Sequence, residues 1–268
     1  MLGRVVEWDK HKLYGYADSE YRLNQKKIIL LMKECAHERS KVLDIGCGAG
    51  NLSQDLKKLS PEVYGVEINK EVAGLAKRKI DVIIADAQFL PFRKNSFDII
   101  VSNQVIEHII DVDSFFMEVN RVLKNKGCLI ISTPNLCALH NRILVLLGMQ
   151  PTCLHVSRIQ VGNFLKGVET SGHVHAFSPS ALKDLLNLYG FRIIKIQGTG
   201  MYPFRRFLSK LLSKLFPNLA VYLLIKAEKV SEKCIAKKAR NRTQNKQASG
   251  RAGETLHEFC GRKAQSYI

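Results

Sequence analysis

A doubly wound α/β fold built on a mostly parallel sheet is predicted by three features of the chain. Short apolar runs alternate with helical patterns from Lys41 to Thr133. Successive runs end in a polar group: Val42-Leu43 at Asp44, Val63-Tyr64-Gly65-Val66 at Glu67, Val82-Ile83-Ile84-Ala85 at Asp86, and Phe97–Ser102 at Asn103. Three glycines at every second position, Gly46, Gly48 and Gly50, follow the first run. Strands joined by helical crossovers lie parallel with right-handed connections, which gathers their carboxyl ends on one edge. Ligands of open parallel sheets bind at that edge.

The elements follow in order. Tyr21 to Cys35 reads as a helix with Leu23, Ile28, Leu31 and Met32 on one side. The glycines after the first strand allow positive φ and close approach of a ligand to the main chain. The helix start from Leu52 adds free N–H groups that favour a polar or anionic partner. Glu67 ends the second strand about 20 residues past the first glycine, where an acceptor-only carboxylate can take both hydroxyls of a ribose. Val112 to Leu123 has a 3.6-residue apolar period, and Cys128–Thr133 is a fifth strand after Leu123–Gly127. Ser178-Pro179-Ser180 opens a helix that stops at Gly190. Phe191–Ile196 and Ala220–Ala227 read as two further strands.

In the order of these segments (42–52, 63–69, 85–92 and 97–135) the chain resembles the class I S-adenosylmethionine-dependent methyltransferases, in particular the ubiquinone/menaquinone-methyltransferase-like branch. The resemblance is strong over roughly residues 20–135. It implies a Rossmann-like seven-stranded sheet flanked by helices, mostly parallel with an antiparallel final hairpin. It implies S-adenosyl-L-methionine as cofactor, with Asp44, Gly46, Cys47, Gly48 and Gly50 on the methionine part and Glu67 on the ribose. Ile68 would pack on adenine, Asp86 and Ala87 would lie by the adenine amino group, and Asn103 and Gln104 near the sulfonium. It also implies that the helix before the first strand covers the cofactor. Lys124-Asn125-Lys126-Gly127 departs from the family's usual turn as a variant. A nicotinamide dehydrogenase is the rival for such a loop, but its G-x-G-x-x-G spacing seats a pyrophosphate, which Asp44 would repel.

The resemblance and the composition divide the chain into residues 1–40 as an N-terminal cap segment and helix, 41–229 as the methyltransferase domain, and 230–268 as a basic, flexible tail. From Lys229 onward ten basic residues face three acids, so +7 of the net +17 lies there. Such tails are usually solvated, though one can adhere to RNA or anionic lipid. No run of about 18 apolar residues and no signal-like N-terminus is present, so a cytoplasmic protein is expected. Seven cysteines without C-x-x-C spacing read as reduced thiols rather than a disulfide framework or a zinc site.

Two segments exceed the frame. Residues 136–177 are too long for a plain loop and read as a substrate lid. Residues 202–216 form an amphipathic basic pattern with Phe204, Phe207, Leu208, Leu211, Leu212 and Leu215 on one face. That pattern suits peripheral contact with a membrane, although such helices more often bury the apolar face on their own protein. Methyl transfer needs alignment and a dry site, and an oxygen acceptor also benefits from a base near neutral pKa. His173 and His175, alternating in Gly172-His173-Val174-His175-Ala176-Phe177, are the candidate catalytic residues, pointing to one face if extended. A capping or packing role is the competing use, and no metal is expected because no carboxylate pair accompanies them. The expected function is methylation of a small-molecule or lipid-linked acceptor at oxygen. The alternatives are a nucleic-acid methyltransferase, C-methylation of a quinone-like acceptor, or a binding protein without activity. Ser102-Asn103-Gln104 lacks the Asn/Asp-Pro-Pro-aromatic motif of amine-directed nucleic-acid enzymes.

Overall fold

Parallel strand pairing carries the chain back and forth across the centre of the structure, a computed structural model that describes residues 6–204 and 206–230, with side chains from Ser19. The expected basic tail lies, from residue 231 on, outside the described residues. The strands are β1 (Val42–Ile45), β2 (Val63–Glu67), β3 (Asp81–Ile84), β4 (Phe97–Asn103), β5 (Leu123–Pro134), β6 (Phe191–Thr199) and β7 (Tyr222–Lys229). The helices are α1 (Val6–Lys33), α2 (Asn51–Leu56), α3 (Lys70–Ala76), α4 (Val112–Val122), α5 (Leu139–Leu146), α6 (Pro179–Leu188) and α7 (Arg206–Leu215). The sheet order is β3-β2-β1-β4-β5-β7-β6. β1 through β5 pair in parallel, and β7 runs antiparallel between β5 and β6. This is the seven-stranded, doubly wound sheet expected. The chain order reverses between β1 and β4, the switch point where a ligand crevice opens.

Each strand sorts its side chains by period two. Leu43, Ile45, Ile100, Leu129 and Ile131 meet Phe115, Phe116, Val119, Leu182 and Leu186 on the α4/α6 face. Val42, Ile99, Val101, Cys128 and Ile130 meet Ile28, Leu31, Met32, Leu52 and Leu56 on the α1/α2 face. Each fully buried Phe or Leu contributes roughly 1.5–3 kcal/mol over an exposed one. α4 begins where the Asp111 carboxylate accepts from Ser114 N at 3.0 Å. Beyond its end, Lys229 Nζ donates to the carbonyls of Asn120 and Leu123 at 2.6 and 2.8 Å, so a cation faces the negative helix terminus.

Several boundaries differ from expectation: β5 already starts at Leu123, β7 runs Tyr222–Lys229, and α7 starts at Arg206. α1 starts at Val6, well before Tyr21, and its apolar side from Ile28 to Met32 is the part that enters the core. β3 ends at Ile84, because Ala85 to Phe92 forms a loop held by α4. Arg121 donates to the carbonyls of Leu90 and Phe92 at 2.8 and 2.6 Å, and Leu90 N donates to Glu118 at 2.8 Å.

Candidate active site

The carboxyl ends of β1 and β2 meet through the glycine loop. Gly46 N and Cys47 N both donate to Val66 O, at 2.8 and 3.0 Å, which pins the loop to β2. Gly46, Gly48 and Gly50 have φ of 67°, 54° and 75°, a region that costs other L-residues strain. A Cβ on Gly46 would lie 2.4 Å from Val105. A Cβ on Gly48 would meet nothing within 4 Å, so the loop presents bare main chain to open space.

Two carboxylates flank that loop. Asp44 is buried and accepts from Ser53 Oγ at 2.6 Å. Burial, and to a smaller degree the charge of Glu67, push its pKa up to about 7 against the Ser53 hydrogen bond. Glu67 accepts from Gly48 N through Oε2 at 3.0 Å and from Asn69 N through Oε1 at 2.9 Å. Each oxygen keeps a lone pair for a further donor. Ile68 beside it is 67% exposed, an apolar surface next to the Glu67 carboxylate. The same burial, with the nearby acids, raises Cys47 to about 12, so this thiol stays protonated.

The remaining predicted residues follow β3 or stand at the end of β4, and they differ in freedom. Asp86 accepts from Gln88 N at 2.8 Å and from its side-chain amide, and Gln88 Oε1 accepts from Asp111 N at 2.8 Å. The Ala87 methyl packs into the core, which leaves its backbone for any ligand. Asn103 is engaged with α1: its Oδ1 accepts from Asn24 at 2.9 Å and its amide donates to Tyr21 at 3.3 Å. Gln104 takes φ of 58° and donates through N and Nε2 to Ser132, at 2.9 and 3.1 Å. Ser53, Gln88 and Asn24 were not singled out in the sequence. Only Ser53 carried a signal, one turn into the helix after the glycines.

His173 and His175 do not alternate along an extended segment. Val174 N and His175 N both donate to Glu107 O, at 2.9 and 3.1 Å, which bends the chain between the two imidazoles. His173 stacks on His155 with ring centroids 4.3 Å apart and meets His108 edge-on at 5.0 Å. Its Nδ1 lies 3.1 Å from Cys153 O and its Nε2 2.9 Å from Ser171 Oγ. A carbonyl only accepts, so Nδ1 carries the proton and Nε2 takes the Ser171 hydroxyl. Burial lowers this imidazole to about 4. His175 Nε2 lies 3.3 Å from Ile110 O, so Nε2 carries the proton and Nδ1 is its basic nitrogen.

Behind them Glu107 is buried, with Oε2 accepting from Thr133 at 2.9 Å and Oε1 lacking a hydrogen-bond partner. Burial raises it to about 7. Glu107, His108 and His173 bring one donor atom each within 4.8 Å of one another. The carboxylate that the sequence did not place beside the imidazoles is therefore present.

A family profile described as "Methyltransferase domain" matches residues 43–131. An uncharacterised protein of Methanocaldococcus jannaschii is 30% identical over 226 residues, covering 81% of this chain and 86% of its own length. A ubiquinone biosynthesis O-methyltransferase of Pelagibacter ubique is 36% identical over 102 residues, 35% of this chain. The match spans 42% of that relative's length, less than half of it. A SAM-dependent methyltransferase from Methanosarcina mazei superposes with a TM-score of 0.57 at 23% identity, over 75% of this chain and 98% of the other. The chain belongs to the class I S-adenosylmethionine-dependent methyltransferases. Its crevice suits that family's cofactor, S-adenosylmethionine. A buried acid near neutral pKa awaits a cation, a half-buried one has lone pairs to spare, and bare main chain lies between them.

Proposed function

We propose that the chain transfers a methyl group to an oxygen of a small-molecule or lipid-linked acceptor. The observation that carries this reading is the clamp of Asp44, Gly48 and Glu67 at the switch point, with an imidazole-lined segment at the neighbouring strand end. Bound there, S-adenosylmethionine supplies a methyl group on a sulfonium. Asp44 is suited to an ammonium, whose charge returns the carboxyl to its ionised form. Glu67 is suited to vicinal hydroxyls, and Ile68 to the face of a base. Asn24, by holding Asn103 and Ser132 (2.9 and 2.8 Å), ties α1 over the ends of β4 and β5 and limits water there. Alignment of two reactants can supply roughly 7–11 kcal/mol.

An acceptor hydroxyl must still lose a proton. His175 is the better of the two histidines for that task. Its Nδ1 is the lone-pair nitrogen, whereas His173 already spends its lone pair on Ser171 and is held neutral by burial. The names of the partial relatives, O-methyltransferases of ubiquinone biosynthesis and of malonyl-[acyl-carrier protein], favour oxygen. His175→Ala should lower turnover at least about tenfold while cofactor affinity stays within about twofold. Unchanged turnover removes His175 as the base. Radiolabelled cofactor incubated with protein and a cell extract identifies the acceptor. Labelled RNA as the product would replace this reading by the nucleic-acid one that the +17 charge favours, and label on a quinone ring carbon by C-methylation.

A further inference from the structure

α7 is built inside out. Its inward residues are Ser209 and Ser213, both fully buried, while its apolar side chains other than the half-buried Leu212 are exposed. Phe207 is 77% and Leu215 60% exposed, and Leu208, Leu211 and Phe216 are exposed with them. The reason is local. A Cβ on Gly198 of β6 would lie 2.8 Å from Ser213 O and 2.4 Å from the Ala220 methyl, so the helix sits too close to the sheet for leucines. Ser209 Oγ accepts from Met201 N at 2.9 Å, which fixes the rotation of the helix. An amphipathic helix that packs through hydroxyls leaves most of its apolar stripe without a partner among the described residues, against the usual preference for burial.

Charge selects the occupant. Lys210 and Lys214 are exposed and border the stripe, and no acidic residue lies between Arg206 and Phe216. Phenyl and leucyl groups flanked by lysines match the interfacial layer of an anionic bilayer. The stripe also stands at the acceptor end of the sheet. Asn135, at the end of β5, donates to the carbonyls of Asn218 and Ala220 just beyond α7. α5, which begins four residues after Asn135, carries its own exposed apolar groups, with Leu146 85% exposed. Among the described residues no helix is long and apolar enough to cross a membrane, so the contact is peripheral.

We infer that the α7 face is a docking surface for an anionic membrane, seated with Phe207, Leu211 and Leu215 in the interfacial layer. The inference does not depend on which acceptor is methylated.

Cosedimentation of the full chain with phosphatidylcholine vesicles, with and without phosphatidylglycerol, tests it. Wild type should bind the anionic vesicles. Phe207→Ser with Leu211→Ser should lower the partition coefficient at least about tenfold, since insertion strength follows buried apolar area. Lys210→Glu with Lys214→Glu should abolish the preference for anionic over neutral vesicles. Melting temperature and cofactor affinity serve as folding controls, because these residues lie outside the cofactor crevice. Undiminished binding by the Phe207/Leu211 variant would assign adhesion to basic charge elsewhere and overturn the inference. So would failure of wild type to bind any vesicle, or a dimer that the same substitutions split. Loss of methyl transfer with vesicle binding intact would count against the proposed activity alone.

Discussion

The two ends of the crevice are held by different means. Toward β1–β3 the two exposed-side acids are fixed by main chain: Glu67 by Gly48 and Asn69, Asp86 by Gln88. At the acceptor end the polar groups are fixed by distant segments. His108 reaches Gly172, His173 reaches Cys153, and His175 reaches Ile110, a contact across 65 positions. The first arrangement is a property of strand ends and survives changes elsewhere in the chain. The second exists only while residues 136–177 keep their path, so under the proposed function it is where acceptor choice can vary without touching the cofactor.

The sharpest test of this contrast is Asp44→Asn, because it changes charge and keeps the acceptor for Ser53. Charged hydrogen bonds contribute about 1.5–3 kcal/mol, so cofactor affinity should fall about 10- to 100-fold by calorimetry. The apo fold should not suffer. Asp44 has a folded pKa raised from 3.8 to about 7. Its contribution to stability is therefore full below 3.8 and is lost as pH rises toward 7. Above that pH the amide variant should melt no lower than wild type. Cofactor affinity should rise with pH toward about 7 in wild type and stay flat over that range in the variant. A parallel rise in the variant would remove Asp44 as the group that meets the cofactor's cation.

Glu67→Gln comes next. The glutamine keeps one acceptor but turns a donor toward Gly48 N or Asn69 N, both of which need acceptors. Affinity should fall about tenfold, and more steeply for the cofactor than for an analogue lacking ribose hydroxyls. Equal losses for both would mean that Glu67 only braces the loop.

The contrast also explains what the sequence could convey. Strand ends, the loop and Glu67 were legible because a parallel strand followed by a crossover puts its last polar residue in one place, whatever surrounds it. The partners of those residues were legible only when adjacent. Ser53 follows the glycines directly, but Asn24 on α1 meets Asn103 across 79 positions. The bend at Val174 was hidden because it depends on a carbonyl, Glu107 O, that belongs to a distant segment. The direction of α7 was hidden for a related reason. Its periodicity defines two faces, but Gly198 on another element decides which one the sheet can accept.

The smallest expected effect tests whether the histidine cluster is structural at all. His173 has a folded pKa lowered from 6.5 to about 4, chiefly by burial. Its contribution to stability is present above 6.5 and is lost as pH falls toward 4, because the unfolded chain binds the proton first. His140 is lowered to about 4 by burial and acts in the same direction, while Asp44 and Glu107, both raised to about 7, act in the opposite one. A wild-type melting curve therefore mixes these groups with others, including His155, which burial also lowers, and Glu20, which burial raises. His173→Gln separates them, since glutamine can donate to Cys153 O and accept from Ser171 without titrating in this range. Above pH 6.5 the variant should melt slightly below wild type, having lost the ring stack on His155. Between 6.5 and 4 wild type should lose stability faster, so the two curves converge. Parallel curves would mean that His173 stays accessible to protons when folded, and the acceptor end would then be looser than its hydrogen bonds imply.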